Sequence, residues 1–177
     1  MAAQDIAAAM QRVEAVLRRR PETGVDDDAP ATAQWAGGTR VISSHGNGTQ
    51  IATDMPAALG GSGDRITPGW LMRAGLASCT ATCIAMDAAA QGIELQTLEV
   101  RASSRSDLRG QLGLPDADGS AVPAAPFDVQ MRVRIAALGV AAESLRALVQ
   151  NSYRNSPIAC AIVNALPVAL HIEANAE

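Results

Sequence analysis

The chain has 177 residues, 48% of them hydrophobic and only 2% aromatic, with a formal net charge of -4. That length suits one domain with a sizeable core, and the hydrophobic share excludes a disordered chain. The acidic balance excludes the basic face that nucleic acid demands; Arg18-Arg19-Arg20, followed closely by Asp26-Asp27-Asp28, reads as a solvated helix end.

Residues 3–20 carry Ile6, Met10, Val13 and Leu17 at spacings of 4, 3 and 4, which predicts an amphipathic helix. Pro, Gly and three acids make residues 21–31 a linker. Residues 1–30 thus form an N-terminal helix with an acidic linker, and residues 31–177 form the main domain. Short strands follow at residues 31–35, 39–44 and 49–53. Gly37-Gly38 and His45-Gly46-Asn47-Gly48 separate them as hairpin turns. The Gly-rich stretch 56–64 lacks the Lys-Ser/Thr ending of a phosphate loop and is given no nucleotide role.

A long helix comes next. Thr67 caps it, Pro68 suits its first turn, and Gly92 supplies a left-handed stop. About 23 residues lie between, or roughly 35 Å at 1.5 Å per residue. The segment is apolar on nearly every face, the pattern of a helix at the centre of a structure. It carries Arg73 and Asp87, and the later apolar run 158–170 is broken by Asn164 and Pro167, so neither is read as a membrane span.

Leu98, Val100 and Ala102 alternate with Glu99, Arg101 and Ser103; Phe127, Val129, Met131, Val133 and Ile135 alternate with Asp128, Gln130, Arg132 and Arg134. Both are strands with one wet face, whose opposite charges can pair across the ladder. Residues 106–126, rich in Gly, Pro and Asp, are expected to be a long mobile connection. A helix at 141–152, a short one after Pro157 and a last strand at 168–174 complete the order. Elements in blocks predict an α+β fold with antiparallel pairing. One sheet covers one face of the long helix and leaves another bare, which predicts a homodimer in which two copies bury both helices.

Three cysteines do not make a secreted disulfide framework. Met1-Ala2-Ala3-Gln4-Asp5 has no basic flank before an apolar run, so no leader is expected. The reading is a soluble cytoplasmic protein with reduced thiols. No Cys-x-x-Cys pair is present, His45 and His171 read as surface residues, and no metal or other cofactor is expected. A Ser-His-Asp hydrolase lacks its Gly-x-Ser-x-Gly elbow.

Thr67-Pro68-Gly69-Trp70-Leu71, then Ala77-Ser78-Cys79-Thr80, then Gln91-Gly92-Ile93-Glu94, Asn155-Ser156-Pro157-Ile158 and Leu166-Pro167-Val168 appear in that order. Together they resemble the OsmC/Ohr family, named for osmotically inducible protein C and the organic hydroperoxide resistance protein. The resemblance covers most of the chain after residue 30. It implies antiparallel sheets wrapped around long central helices in an intertwined homodimer, with active sites at the subunit interface. Its peroxidase members reduce organic hydroperoxides: one cysteine attacks as thiolate, an Arg stabilises it, a Glu holds the Arg, and a second cysteine resolves the sulfenic acid.

Carried onto this chain, the attacking residue is Cys79 and the nearest arginine is Arg40, two residues after Gly38. The Glu belongs where Gly69 and Trp70 stand, and the second cysteine belongs where Ser156 stands. Two of the four parts are therefore missing.

Cys79 and Cys83 share one helical stripe with Met72, Leu76 and Met86. They read as core filling or as sheltered reactive thiols. A disulfide between them needs local unwinding, because their Cβ vectors run nearly parallel. Cys160, one turn beyond Ser156, is either an apolar filler or the resolving partner. Arg73, Thr80 and Asp87 make a polar stripe, read as a solvated or interface edge; the rarer reading has Arg73 serve the thiolate across a dimer. Two functions follow. One is thiol-dependent reduction of organic hydroperoxides at Cys79, recharged by an external thiol. The other is a non-catalytic homodimer that binds a small apolar ligand at the subunit interface.

Overall fold

The computed structural model describes residues 3–174; Met1, Ala2 and residues 175–177, which fall at the ends of the two regions read from the sequence, lie outside it. Helix α1 (Ala3–Arg19) leads into a 3₁₀ turn (Pro21–Gly24) and an extended linker. Strands β1 (Thr32–Trp35), β2 (Val41–Ser44) and β3 (Gln50–Thr53) form an antiparallel sheet in the order β1-β2-β3. Helix α2 (Pro68–Ala90) is followed by β4 (Leu95–Arg105), the short α3 (Leu108–Gln111), β5 (Phe127–Ala137), α4 (Ala142–Arg154) and α5 (Pro157–Asn164). Strands β4 and β5 pair antiparallel as a second sheet.

The ends of α2 are chemical. Thr67 Oγ1 accepts the Trp70 amide at 3.2 Å, satisfying one of the free first-turn donors. At the other end Gly92 adopts φ +69°. Its amide donates to Ala89 and that of Ile93 donates to Ala88, the paired bonds of a left-handed helix stop. Ile93 then packs against the core.

That core is small. Ile84 and Ala88 of α2 meet Leu145 and Leu148 of α4, with Leu98, Val100, Val133 and Ile135 of the second sheet packed around them. On the wet face of that sheet Glu99 sits opposite Arg134, and the side chains pair at 3.5 Å.

The three-stranded sheet is less well covered. It is joined to the rest of the chain through a parallel bridge between Thr53 and Ile66. Among the described residues no helix packs broadly across it, and Trp35 is 77% exposed. The whole chain exposes 13127 Å². A compact monomer of its 18.2 kDa mass exposes roughly 8,100 Å².

Three expectations change. The last strand predicted at 168–174 is absent: residues 166–174 have no regular structure. Val168, Leu170 and Ile172 keep the apolar alternation but stand exposed, because no strand edge within the chain pairs with them. The connection 106–126 is less open than expected. It contains α3, and Arg109 pairs with both Asp107 and Asp116. The stripe Arg73, Thr80, Asp87 is not a solvated edge. Arg73 donates to Ser104 of β4 at 3.2 Å, Thr80 is fully buried, and Asp87 accepts from Ser152 of α4 at 2.6 Å.

Candidate functional site

Helix α2 carries Cys79 on the side facing the start of α5, and there it meets Ser156. Ser156 is fully buried, and its Oγ donates to Cys79 Sγ at 3.3 Å. Ser156 is the N-cap residue of α5, but its side chain caps no amide of that helix. A serine in that position ordinarily turns its oxygen toward the first-turn amides. Here the hydroxyl is given to the thiol instead, while Pro157 removes one of the amides needing a cap.

Thr80 completes the arrangement. Its Oγ1 lies 3.3 Å from Ser156 Oγ. A hydroxyl has one proton to donate. With Ser156 donating to Cys79, its oxygen can accept from Thr80. The polar chain therefore runs Thr80 to Ser156 to Cys79, with its two hydroxyls buried in an otherwise apolar helix packing.

Cys83 lies one turn further along α2. Burial pushes its thiol up, and the neighbouring Cys79 pushes it further. A thiol raised in this way stays protonated at neutral pH. Cys160 is occupied elsewhere: its Sγ donates to the Arg154 carbonyl at 3.0 Å. All three cysteines are free thiols.

Arg40 sits where β2 leaves the Gly37-Gly38 turn and is held by two carboxylates. Its Nη2 donates to Asp54 Oδ2 at 3.1 Å and to Ser62 Oγ at 2.7 Å, and it pairs with Asp64. Asp54 is buried, and Thr39 Oγ1 donates to it at 2.5 Å, Ser62 Oγ at 2.6 Å. The Ser62 and Thr39 hydrogen bonds hold the Asp54 carboxyl well below the usual range. Asp64 is lowered too, by Ser62 first and then by the charge of Arg40. The loop closes tightly here: a Cβ at Gly61 would stand 1.8 Å from the Met55 carbonyl oxygen.

The sequence-derived site residues therefore fall into two groups. Cys79 and Ser156 come together. Arg40 stands apart, in the loop cluster before α2. Within the chain the described hydrogen bonds of Arg40 and Arg73 go to other groups and not to Cys79. Asp54, Ser62, Asp64 and Thr80 were not singled out as site residues from sequence. Asp54 and Asp64 flank the Gly-rich loop, but no periodicity or spacing announces that they converge on one guanidinium.

Several concave surfaces adjoin α2. A cavity of about 300 Å³ is lined by Thr80, Met131, Val133, Val149, Gln150 and Tyr153. A larger apolar groove of about 750 Å³ lies between α1 and α2, lined chiefly by Ile6, Met10, Val13, Leu17 and Met86. Among the described residues no three His, Cys, Asp or Glu side chains gather to hold a metal, and no described helix is long and apolar enough to cross a membrane.

An α+β chain with a free thiol on a long central helix, met by a residue from a Pro-led C-terminal helix, defines a recognisable class. The family model for OsmC-like proteins matches residues 61–171, and the chain belongs to that family. Among solved structures, the chain is similar to the organic hydroperoxide resistance protein OsmC of Legionella pneumophila. The two are 23% identical over 78% of this chain and 90% of that one, with a TM-score of 0.57. An OsmC-like protein from Mycoplasma pneumoniae is 14% identical over 78% of this chain and 89% of that one, with a TM-score of 0.64. An OsmC-like protein of unknown function from Vibrio cholerae is 14% identical over 80% and 94%, with a TM-score of 0.61. At these identities the likeness is one of fold. No curated protein matches the chain.

Proposed function

We propose that the chain works as a homodimer that reduces organic hydroperoxides at Cys79 and is recharged by an external thiol. The observation that carries this reading is the Ser156 hydroxyl bonded to Cys79 Sγ. The thiolate is the nucleophile, and a buried hydroxyl placed on the sulfur can donate to it through the attack. The Legionella structure, similar in fold, is that of an organic hydroperoxide resistance protein, which supports the same chemistry here.

The reaction balances simply. The Cys79 thiolate attacks one oxygen of R–O–O–H; an S–O bond forms, the O–O bond breaks, and the alkoxide takes a proton to leave as an alcohol. Cys79 becomes a sulfenic acid. The apolar stripe Met72, Leu76, Cys79, Cys83 and Met86 suits an apolar hydroperoxide better than hydrogen peroxide.

The dimer follows from surface. The chain exposes roughly 5,000 Å² more than a compact monomer, which leaves room for the roughly 1,000–2,500 Å² that an obligate homodimer buries on each partner. A partner that covers the three-stranded sheet and α2 is the means by which Arg40, tethered by Asp54 and Asp64, reaches a Cys79.

A second reading rests on a different observation: Cys79 takes its described hydrogen bond from a neutral hydroxyl and from no charged group. On that reading the dimer binds a small apolar ligand at the interface and does no chemistry. Peroxidase assays with cumene hydroperoxide and a dithiol separate the two. Turnover by the wild type that is lost in C79S supports the first; ligand binding without turnover supports the second.

A further inference from the structure

We infer that Ser156 is a catalytic residue of a single-thiol cycle: its hydroxyl solvates the Cys79 thiolate before attack and then holds the sulfenic acid, which an external small thiol reduces. The inference rests on the peroxidase reading above and concerns how that cycle closes.

Three features of the structure carry it. Ser156 contributes a buried hydroxyl that is not spent on capping its own helix. Thr80 Oγ1 lies 3.3 Å from the same hydroxyl and can supply the hydrogen bond that Ser156 accepts while its own proton goes to Cys79 Sγ. The position from which Ser156 reaches Cys79 is the one a second thiol of this chain would need. Neither remaining cysteine takes it over. Cys83 lies four residues along the same helix, and within an intact helix its Cβ runs nearly parallel to that of Cys79 instead of converging. Cys160 is turned to the Arg154 carbonyl.

The second half of the cycle is then intermolecular. A small thiol R′–SH attacks the Cys79 sulfenic acid; an S–S bond forms, the S–O bond breaks, and water leaves. A second R′–SH attacks that mixed disulfide, releasing R′–S–S–R′ and restoring the Cys79 thiol. Two electrons pass from two thiols to one hydroperoxide. A sulfenic acid awaiting an outside thiol is exposed to further oxidation, and a neighbouring hydroxyl that keeps it hydrogen-bonded holds it in place meanwhile.

The test uses the full-length protein in three forms: wild type, S156A and S156C. Iodoacetamide alkylation of Cys79, followed by mass spectrometry across pH, reports the thiolate without any peroxide. For S156A the rate profile is expected to move up by about one pH unit, with labelling near neutrality some three- to tenfold slower. A profile that superimposes on the wild type overturns the role of Ser156. One equivalent of cumene hydroperoxide then reports the cycle. Wild type should give a dimedone-trapped Cys79 and no internal disulfide, whereas S156C should give a disulfide between Cys79 and the introduced thiol. The S156C result keeps the geometry testable even if S156A folds poorly. A Cys79–Cys83 or Cys79–Cys160 disulfide in the wild type overturns the single-thiol cycle. Failure of any oxidation at Cys79, with the pH shift intact, overturns the peroxidase reading and the cycle with it. Oxidation without the pH shift overturns Ser156 alone.

Discussion

Ser156 Oγ lies 3.3 Å from Cys79 Sγ across 77 residues of chain. The contact is made by the N-cap residue of a short C-terminal helix reaching a thiol midway along the central one. Thr80 Oγ1 stands 3.3 Å from the same hydroxyl, the second polar partner of Ser156 in this buried packing.

Thr80→Val tests that partnership. The variant keeps the volume and removes the hydroxyl, so Ser156 is free to rotate. Cys79 alkylation should slow by about two- to threefold, and stability should fall by about 1 kcal/mol, the usual worth of one buried hydrogen bond. Denaturant melts and the alkylation rate check the two effects separately. An unchanged rate with lowered stability shows that Thr80 serves packing only.

The Arg40 cluster makes a second prediction. Asp54→Asn leaves a neutral amide beside the guanidinium, so Arg40 loses its buried tether. Hydroperoxide turnover should fall about tenfold or more, as expected when a charged group is misplaced by an ångström. The acid response follows from the same carboxylates. Asp54 and Asp64 are both lowered on folding, so their stabilising contribution is present above the unfolded carboxylate range near pH 4. It is lost as pH falls from there toward the folded values. Acid titration followed by tryptophan fluorescence should show an unfolding limb below pH 4 that is weaker in D54N. Identical acid limbs would contradict the role given to Asp54.

Assembly is tested by mass. Light scattering at micromolar protein should give about twice 18.2 kDa if the poorly covered three-stranded sheet and α2 are buried by a second copy. A stable folded monomer would contradict the dimer and, with it, any delivery of Arg40 to a partner's thiol.

The small core predicts a sharp response to truncation. Ile84 is fully buried and meets Leu145 and Leu148 of α4. Leu148→Ala should cost about 2–5 kcal/mol and Ile84→Val about 0.5–1.5 kcal/mol. Denaturant midpoints measure both. Losses below 0.5 kcal/mol would mean that the core lies elsewhere.

Much of the fold was legible because local chemistry marks it. Thr67, Pro68 and Gly92 delimit the central helix to the residue, and the alternation on either side of residues 106–126 marks both long strands. The run at Val168, Leu170 and Ile172 misled, since alternation reports a wish for a sheet and not the presence of an edge to join. The polar stripe of Arg73, Thr80 and Asp87 misled for a related reason. Periodicity shows that three residues share a face, but not that Ser104, Ser156 and Ser152 wait there to satisfy them. The convergence of Cys79 and Ser156 was readable through the family resemblance. The two acids on Arg40 were not, because a salt-bridge cluster assembled from a strand end and an irregular loop has no sequence period.

Cys79 is the group that organic hydroperoxide is expected to oxidise. The most direct measurement is mass spectrometry of the intact protein after one equivalent of cumene hydroperoxide in the presence of dimedone. One adduct per chain is expected, located at Cys79 and absent in C79S. A folded protein in which Cys79 stays unmodified while the hydroperoxide persists would contradict it.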